Sequence, residues 1–194
     1  IPKHLLKEKD PVFEFNKQII DATADLSIAY KFNMAFYEAQ GGKGFDSLAK
    51  TLEYIPKDMF TIADGKRGDI GNTTEQYAKA YFKTLKFDCV TLSPYMGKDA
   101  ILPYLEYKNK WAAVLALTSN EGSEDFQFLK NGPKHFFERV AEKIVEWGTP
   151  ENTMLVVGAT HPEMFETMRK IAPDHFFLVP GLGAQGGELS KIVK

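Results

Sequence analysis

Three charged residues within six positions carry the most informative chemistry in the sequence. They lie in Asp64-Gly65-Lys66-Arg67-Gly68-Asp69-Ile70-Gly71-Asn72-Thr73. An ammonium flanked by two carboxylates keeps its proton, because nearby opposite charge favours the charged form. Lys66 is therefore suited to act as a fixed cation and a proton donor. It is poorly suited to Schiff-base chemistry, which needs a neutral amine. Strand alternation would put Asp64 and Lys66 on one side, at a strand's C-terminal end, where α/β enzymes build their sites. Gly65 and Gly68 would let the backbone turn closely there. A second lysine, Lys31, ends the run Ser27-Ile-Ala-Tyr-Lys-Phe-Asn33, and Asn33 shares its face. Taken alone, D-x-K-x-x-D also describes a solvated, ion-paired loop, and Arg67-Gly68-Asp69 an adhesion tripeptide. Charged ends on two consecutive strands, on the same rim, favour an active site.

A second constellation lies near the end of the sequence. Phe176-Phe-Leu-Val-Pro180-Gly181-Leu-Gly183-Ala-Gln185-Gly186-Gly187 runs from a strand candidate into a helix candidate. Glycine-rich backbone at a helix start offers N–H groups to a phosphate. Gly181, Gly183 and Gly186 match G-x-G-x-x-G formally. A dinucleotide site also needs an acidic residue about 20 positions later, and the sequence stops before one. A phosphate site after the late strands of a barrel fits the placement better. Ser93-Pro94-Tyr95-Met96-Gly97 and Thr118-Ser119-Asn120 also follow strand candidates, so polar and turn residues collect on one rim. His161 and His175 have no Cys or His partner at ligand spacing, and no metal is expected.

These loops need a scaffold. Short β-rich apolar runs at Leu26–Phe32, Met59–Ala63, Phe87–Leu92, Ala112–Leu117, Met154–Gly158 and Phe176–Val179 alternate with helical patterns. The helix candidates are Pro11–Ala24, Phe45–Ile55, Thr73–Thr84, Asp99–Lys108, Pro133–Trp147, Pro162–Ile171 and Gln185 to the end. Thr73 with Gln76 reads as a capping box, and Pro162 suits a first helical turn. Such alternation implies parallel strands joined by right-handed crossovers. Six strand candidates fit an open doubly wound sheet directly; a complete eight-stranded barrel usually takes about 250 residues.

Composition narrows the function classes. The 194 residues are 44% hydrophobic and 26% charged, with a net charge of −2. That near-balance argues against a general nucleic-acid or membrane-surface binder. The single cysteine, Cys89, excludes an intramolecular disulfide and cysteine-held clusters. Ile1 to Asp10 has no apolar signal-like core. The most apolar stretch, Trp111–Leu117, is far short of the roughly 20 residues a membrane helix needs. A cytoplasmic setting is expected.

Several segments together resemble one family. Asp64-x-Lys66-x-x-Asp69-Ile-Gly-Asn-Thr73 resembles the signature of the orotidine 5'-phosphate decarboxylases. Tyr30-Lys-Phe-Asn-Met-Ala-Phe-Tyr-Glu38 is similar to that family's lysine-bearing second strand. Thr91-Leu-Ser-Pro-Tyr-Met-Gly97 resembles its strand-four segment in the longer bacterial branch. Thr118-Ser-Asn120 is similar to its pyrimidine-side loop, and Val179-Pro-Gly-Leu-Gly-Ala-Gln-Gly-Gly187 to its phosphate loop. The motifs fall in family order along nearly the whole sequence, with Glu188 where the family more often has Asp.

The resemblance implies an α/β fold, a (β/α)8 TIM barrel, forming one domain over residues 1–194. The six strand candidates would be strands two to seven, with the family's first and last strands outside this sequence. It implies a homodimer with shared active sites, orotidine 5'-monophosphate as substrate, UMP as product, and neither metal nor organic cofactor. The catalytic set would be Lys66, Asp64, Asp69 and Lys31. Asn33, Thr73, Thr118, Ser119, Asn120, Pro180, Gly181, Gln185 and Gly186 would contact substrate. Two alternatives stay open at this point: a metal-dependent sugar-phosphate decarboxylase or aldolase of the same superfamily, and a non-catalytic phosphate-binding barrel.

Overall fold

The computed structural model describes residues 1–183 and 186–192. Within them the order is α1 (Pro11–Thr23), β1 (Ala29–Asn33), α2 (Met34–Glu38), α3 (Gly42–Tyr54), β2 (Phe60–Arg67) and α4 (Gly71–Lys79). There follow β3 (Cys89–Leu92), α5 (Leu102–Leu105), β4 (Trp111–Leu117), β5 (Lys130–Asn131), β6 (Lys134–His135) and α6 (Phe136–Trp147). The last elements are β7 (Thr153–Val157), α7 (Phe165–Ile171), β8 (Phe176–Leu178) and α8 (Leu189–Ile192). β5 and β6 form a small antiparallel hairpin.

The main sheet runs β1-β2-β3-β4-β7-β8. β1 with β2, β4 with β7, and β7 with β8 pair in parallel. An open doubly wound sheet reverses its strand order at a switch point. This order never reverses, so it is the winding of a (β/α) barrel. The six expected strands are all present, each shifted by at most four residues at an end.

The chain divides into two compact units, residues 1–65 with 79–90 and residues 66–78 with 91–194. In the first, Asp10 caps α1: its carboxylate accepts the Phe13 amide at 3.2 Å, the Ser47 hydroxyl at 2.6 Å and the Lys50 ammonium at 2.7 Å. Burial alone would raise the Asp10 carboxyl, but the bonds from Lys50, Ser47 and Phe13 outweigh it and hold the group below the ordinary carboxylate value. Asn16 donates to Tyr37 and to buried Thr51, so the polar groups between α1 and α3 are paired. Phe32, Tyr37, Tyr81 and Phe87 pack their rings 5.6–6.3 Å apart beneath β1.

In the second unit, β4 is buried along most of its length and pairs with β7, with a register shift between Leu115 and Leu117. Phe137, Ala141 and Ile144 recur at helical spacing and form the buried stripe of α6. His135 caps that helix in a capping box with Glu138, a start signal two residues into the expected Pro133–Trp147 segment. Pro162 does open a helical turn. The capping box expected at Thr73 is not the helix start: α4 begins at Gly71, whose φ of +56° turns the chain, so Thr73 lies inside the first turn.

Candidate active site

Each unit contributes its own group of the expected residues. In the first, β1 and β2 run in register with Asn33 opposite Asp64. Lys31 therefore reaches along the strand end, and its ammonium meets the Asp64 carboxylate at 2.8 Å. The Asp64 side chain is 11% exposed and that of Lys31 38%. A pair this open contributes at most about 1 kcal/mol to stability. Its significance is aim: it fixes a carboxylate and an ammonium at the C-terminal ends of two neighbouring strands. Asn33 has a local structural task, capping α2 by accepting the Ala35 amide at 3.3 Å.

In the second unit, Lys66 is exposed and sits at φ +46°, in the left-handed region that residues with a Cβ rarely adopt. The alternation rule therefore does not describe it, although β2 continues to Arg67. Its N–H donates to the Thr91 hydroxyl at 2.9 Å, and the Ser93 N–H donates to the Arg67 carbonyl at 2.7 Å. A side chain on Gly68 would come within 3.3 Å of Ser93, so the turn after β2 lies flat on the end of β3. Asp69 accepts the Ile70 amide at 2.9 Å, which shapes the approach to α4, and Thr73 is exposed on that helix's first turn. Arg67 lies over the Tyr77 ring.

The loop after β4 is held by a side chain that sequence reasoning missed. Gln127 clamps Thr118 twice at 2.8 Å, accepting its amide and donating to its hydroxyl. The Thr118 hydroxyl in turn donates to Asn120 at 2.6 Å. That proton is taken up inside the loop, by the Asn120 side-chain carbonyl. Thr160 donates to the Ser119 carbonyl at 3.1 Å.

The glycine loop closes on itself. Gly183 donates to Gly187, Gly186 to Gly183 and Gly187 to Gly181, at 2.8–3.0 Å. Gly181, Gly183 and Gly186 all have positive φ. The amides expected to face a phosphate freely are thus partly engaged in shaping the turn. Gln185 lies outside the described residues. The Ala159 amide donates to the Pro180 carbonyl at 2.8 Å, and Gly158 donates to Leu117. The strip Gly158-Ala159-Thr160 therefore ties the Thr118–Asn120 loop to the glycine loop. Nothing in its spacing announced this; only the small residues at a strand end hinted at it.

A groove of about 880 Å3 lies elsewhere, between α7 and β8, lined by Arg169, His175, Phe176 and Phe177 among others. It contains none of the expected catalytic residues. His175 is buried there with both ring nitrogens unpartnered among the described residues, and burial pushes its imidazole below the ordinary value.

Comparison with known proteins identifies the family. Residues 12–192 match the model of the orotidine 5'-phosphate decarboxylase / HUMPS family. The chain is 56% identical to the orotidine 5'-phosphate decarboxylase of Phocaeicola vulgatus, over all of its own length and 73% of that protein. It is 56% identical to that of Flavobacterium johnsoniae over 72% of that protein. Among solved structures it resembles Leishmania donovani UMP synthase (TM-score 0.90, 41% identity), covering 93% of this chain and 41% of that one. It also resembles Leishmania donovani OMP decarboxylase (TM-score 0.85, 40% identity), covering 88% of this chain and 68% of that one. These likenesses agree with the strand order in assigning the TIM-barrel fold. The chain belongs to the orotidine 5'-phosphate decarboxylase / HUMPS family.

Proposed function

We infer that the chain decarboxylates orotidine 5'-monophosphate to UMP, the last step of de novo pyrimidine nucleotide synthesis. The observation that carries this reading is the Lys31–Asp64 ion pair, set two residues before Lys66 in a chain of this family. The difficulty of the reaction is a carbanion at C6 with little internal delocalisation, which a site must stabilise with preorganised charge. The C6–carboxylate bond breaks, its electron pair stays on C6, CO2 leaves, and the Lys66 ammonium supplies the proton. Asp64 lies by the scissile carboxylate and holds Lys66, while Lys31 bridges Asp64 and the ribose. Asn33 contacts the ribose or the charge array.

Ser119 and Asn120, with Thr118 behind them, contact the pyrimidine. Pro180, Gly181, Gln185 and Gly186 bind the phosphate. Phosphate binding far from C6 can then order the pyrimidine loop, and the bonds from Ala159 to Pro180 and from Thr160 to Ser119 support such coupling. In this reading the chain acts as one domain of a cytoplasmic homodimer, and Asp69 and Thr73 reach the neighbour's ribose. Neither a metal nor an organic cofactor takes part.

The test is loss of orotidine 5'-monophosphate absorbance in EDTA. Turnover is the expected result. Turnover that needs added Mg2+, or that appears only with a sugar phosphate, would move the chain to the metal-dependent relatives. Mixing inactive Asp69→Ala and Lys66→Ala chains should restore part of the activity; no recovery would refute the shared site.

A further inference from the structure

We propose that Thr91 is a positioning residue for the reaction: its hydroxyl holds the Lys66 backbone in the left-handed conformation and so aims the ammonium. The proposal rests on the reading above that Lys66 is the proton donor. Three observations carry it. Lys66 has φ +46° although it bears a long side chain. Such a residue persists only where its surroundings over-determine it. The Lys66 N–H donates to Thr91 Oγ1 at 2.9 Å, where a regular parallel ladder would supply a backbone carbonyl. Thr91 is itself 1% exposed, within the buried run Cys89-Val90-Thr91-Leu92.

A hydroxyl buried in an apolar strand needs partners, and here a partner is the amide of the reacting lysine. Threonine also fits the task better than a flexible polar residue. Its branched Cβ restricts χ1, so the methyl group packs while the oxygen stays fixed. The next backbone bond, from Ser93 to Arg67, resumes main-chain pairing one residue later. At Lys66 the strand's amide is thus met by a side chain of β3 and not by its main chain. Were it to relax to extended backbone, its Cα–Cβ direction would change, and four methylenes would carry that change to the ammonium. Displacement of a reacting group by about 1 Å can lower a rate roughly a hundredfold.

Thr91→Val keeps the shape and removes the oxygen. Thr91→Ser keeps the oxygen and removes a methyl. Positioning predicts that the valine variant loses roughly ten- to a hundredfold in kcat with KM within about twofold, and that serine rescues most of the loss. A role in packing alone predicts the opposite order, with serine the worse. Thermal unfolding of both variants keeps a folding defect from being mistaken for a rate effect. Amide hydrogen exchange at Lys66, read by NMR, should quicken in the valine variant and stay slow in the serine variant. A valine variant with wild-type kcat, or with an unchanged Lys66 amide, would overturn the proposal. A wild-type chain that does not turn over orotidine 5'-monophosphate would instead refute the functional reading, and the amide measurement would still decide whether Thr91 holds Lys66.

Discussion

The ends of β1 and β2 each present a lysine, and they hold it in opposite ways. Lys31 stands on regular, in-register strand and is aimed by a charge, the Asp64 carboxylate at 2.8 Å. Lys66 stands on left-handed backbone and is aimed through its own main chain, by the Thr91 hydroxyl. The same contrast runs through the two compact units. In the first, Asp10 accepts from Ser47 and Lys50 of α3, and Asn16 donates to Tyr37 of α2 and Thr51 of α3. In the second, Thr74 Oγ1 and both His175 ring nitrogens are buried without a partner among the described residues. Where a lysine serves to hold a partner, ordinary pairing suffices. In the proposed mechanism Lys66 must meet a reacting carbon, and there the fold accepts strain and fixes the backbone instead.

The comparison breaks most clearly on activity. Lys66→Ala should lower kcat by about a thousandfold or more, since it removes both the cation and the proton. Lys31→Ala should lower it by roughly ten- to a hundredfold and change stability by less than about 1 kcal/mol, as expected of a partly exposed pair. Equal losses in steady-state kinetics would erase the distinction between a reacting and a holding lysine.

A smaller effect sharpens the contrast between the units. Asp10→Ala removes a helix cap with three donors and should cost about 1–2 kcal/mol in urea unfolding. Part of that contribution depends on pH. The Asp10 carboxyl sits below its ordinary value when folded. Its contribution is present above the unfolded pKa and disappears as the pH falls through the folded one. The difference between wild type and variant should therefore shrink in acid; a difference independent of pH would mean that the cap acts through packing alone.

The smallest effect belongs to His175. Burial depresses its folded pKa, so below about pH 6.5 the unfolded chain binds a proton that the folded chain does not. Its neutral form is no liability above that pH, and stability falls as the solution is acidified. His175→Leu should flatten the profile between pH 7 and 5, by roughly 2 °C or less in unfolding midpoint. An identical slope in wild type and variant would show that the buried imidazole is not the source.

Much of this was legible in the residues. Apolar runs located all six strands of the main sheet, and Asp64, Lys66 and Lys31 were visible as charges that strand ends do not need for stability. Spacing rules failed where local conformation departs from the element's own geometry. Thr73 looked like a cap because Gly71 can start a helix at positive φ without one. The sharing of a face by Asp64 and Lys66 was argued from alternation, which a left-handed Lys66 does not obey. Thr91, Gln127 and Gly158–Thr160 stayed invisible for another reason. Each acts on a residue at least nine positions away in sequence, through a hydrogen bond that no periodicity encodes. The glycine loop showed the converse: its composition was plain, but not how many of its amides the turn itself engages.

The strut Gly158-Ala159-Thr160 has a consequence for redesign. A Cβ at 158 would come within 2.6 Å of the Ser119 amide, and one at 187 within 2.5 Å of Ala159. Barrel enzymes are commonly treated as scaffolds whose rim loops can be exchanged one at a time. Here the Thr118–Asn120 loop and the glycine loop rest on one shared tripeptide, in contacts that leave no room for a Cβ at 158 or 187. They are therefore not modular. A graft that brings in either loop has to import residues 158–160 and the opposite loop with it, and the smallest transferable part of this rim is the three segments together.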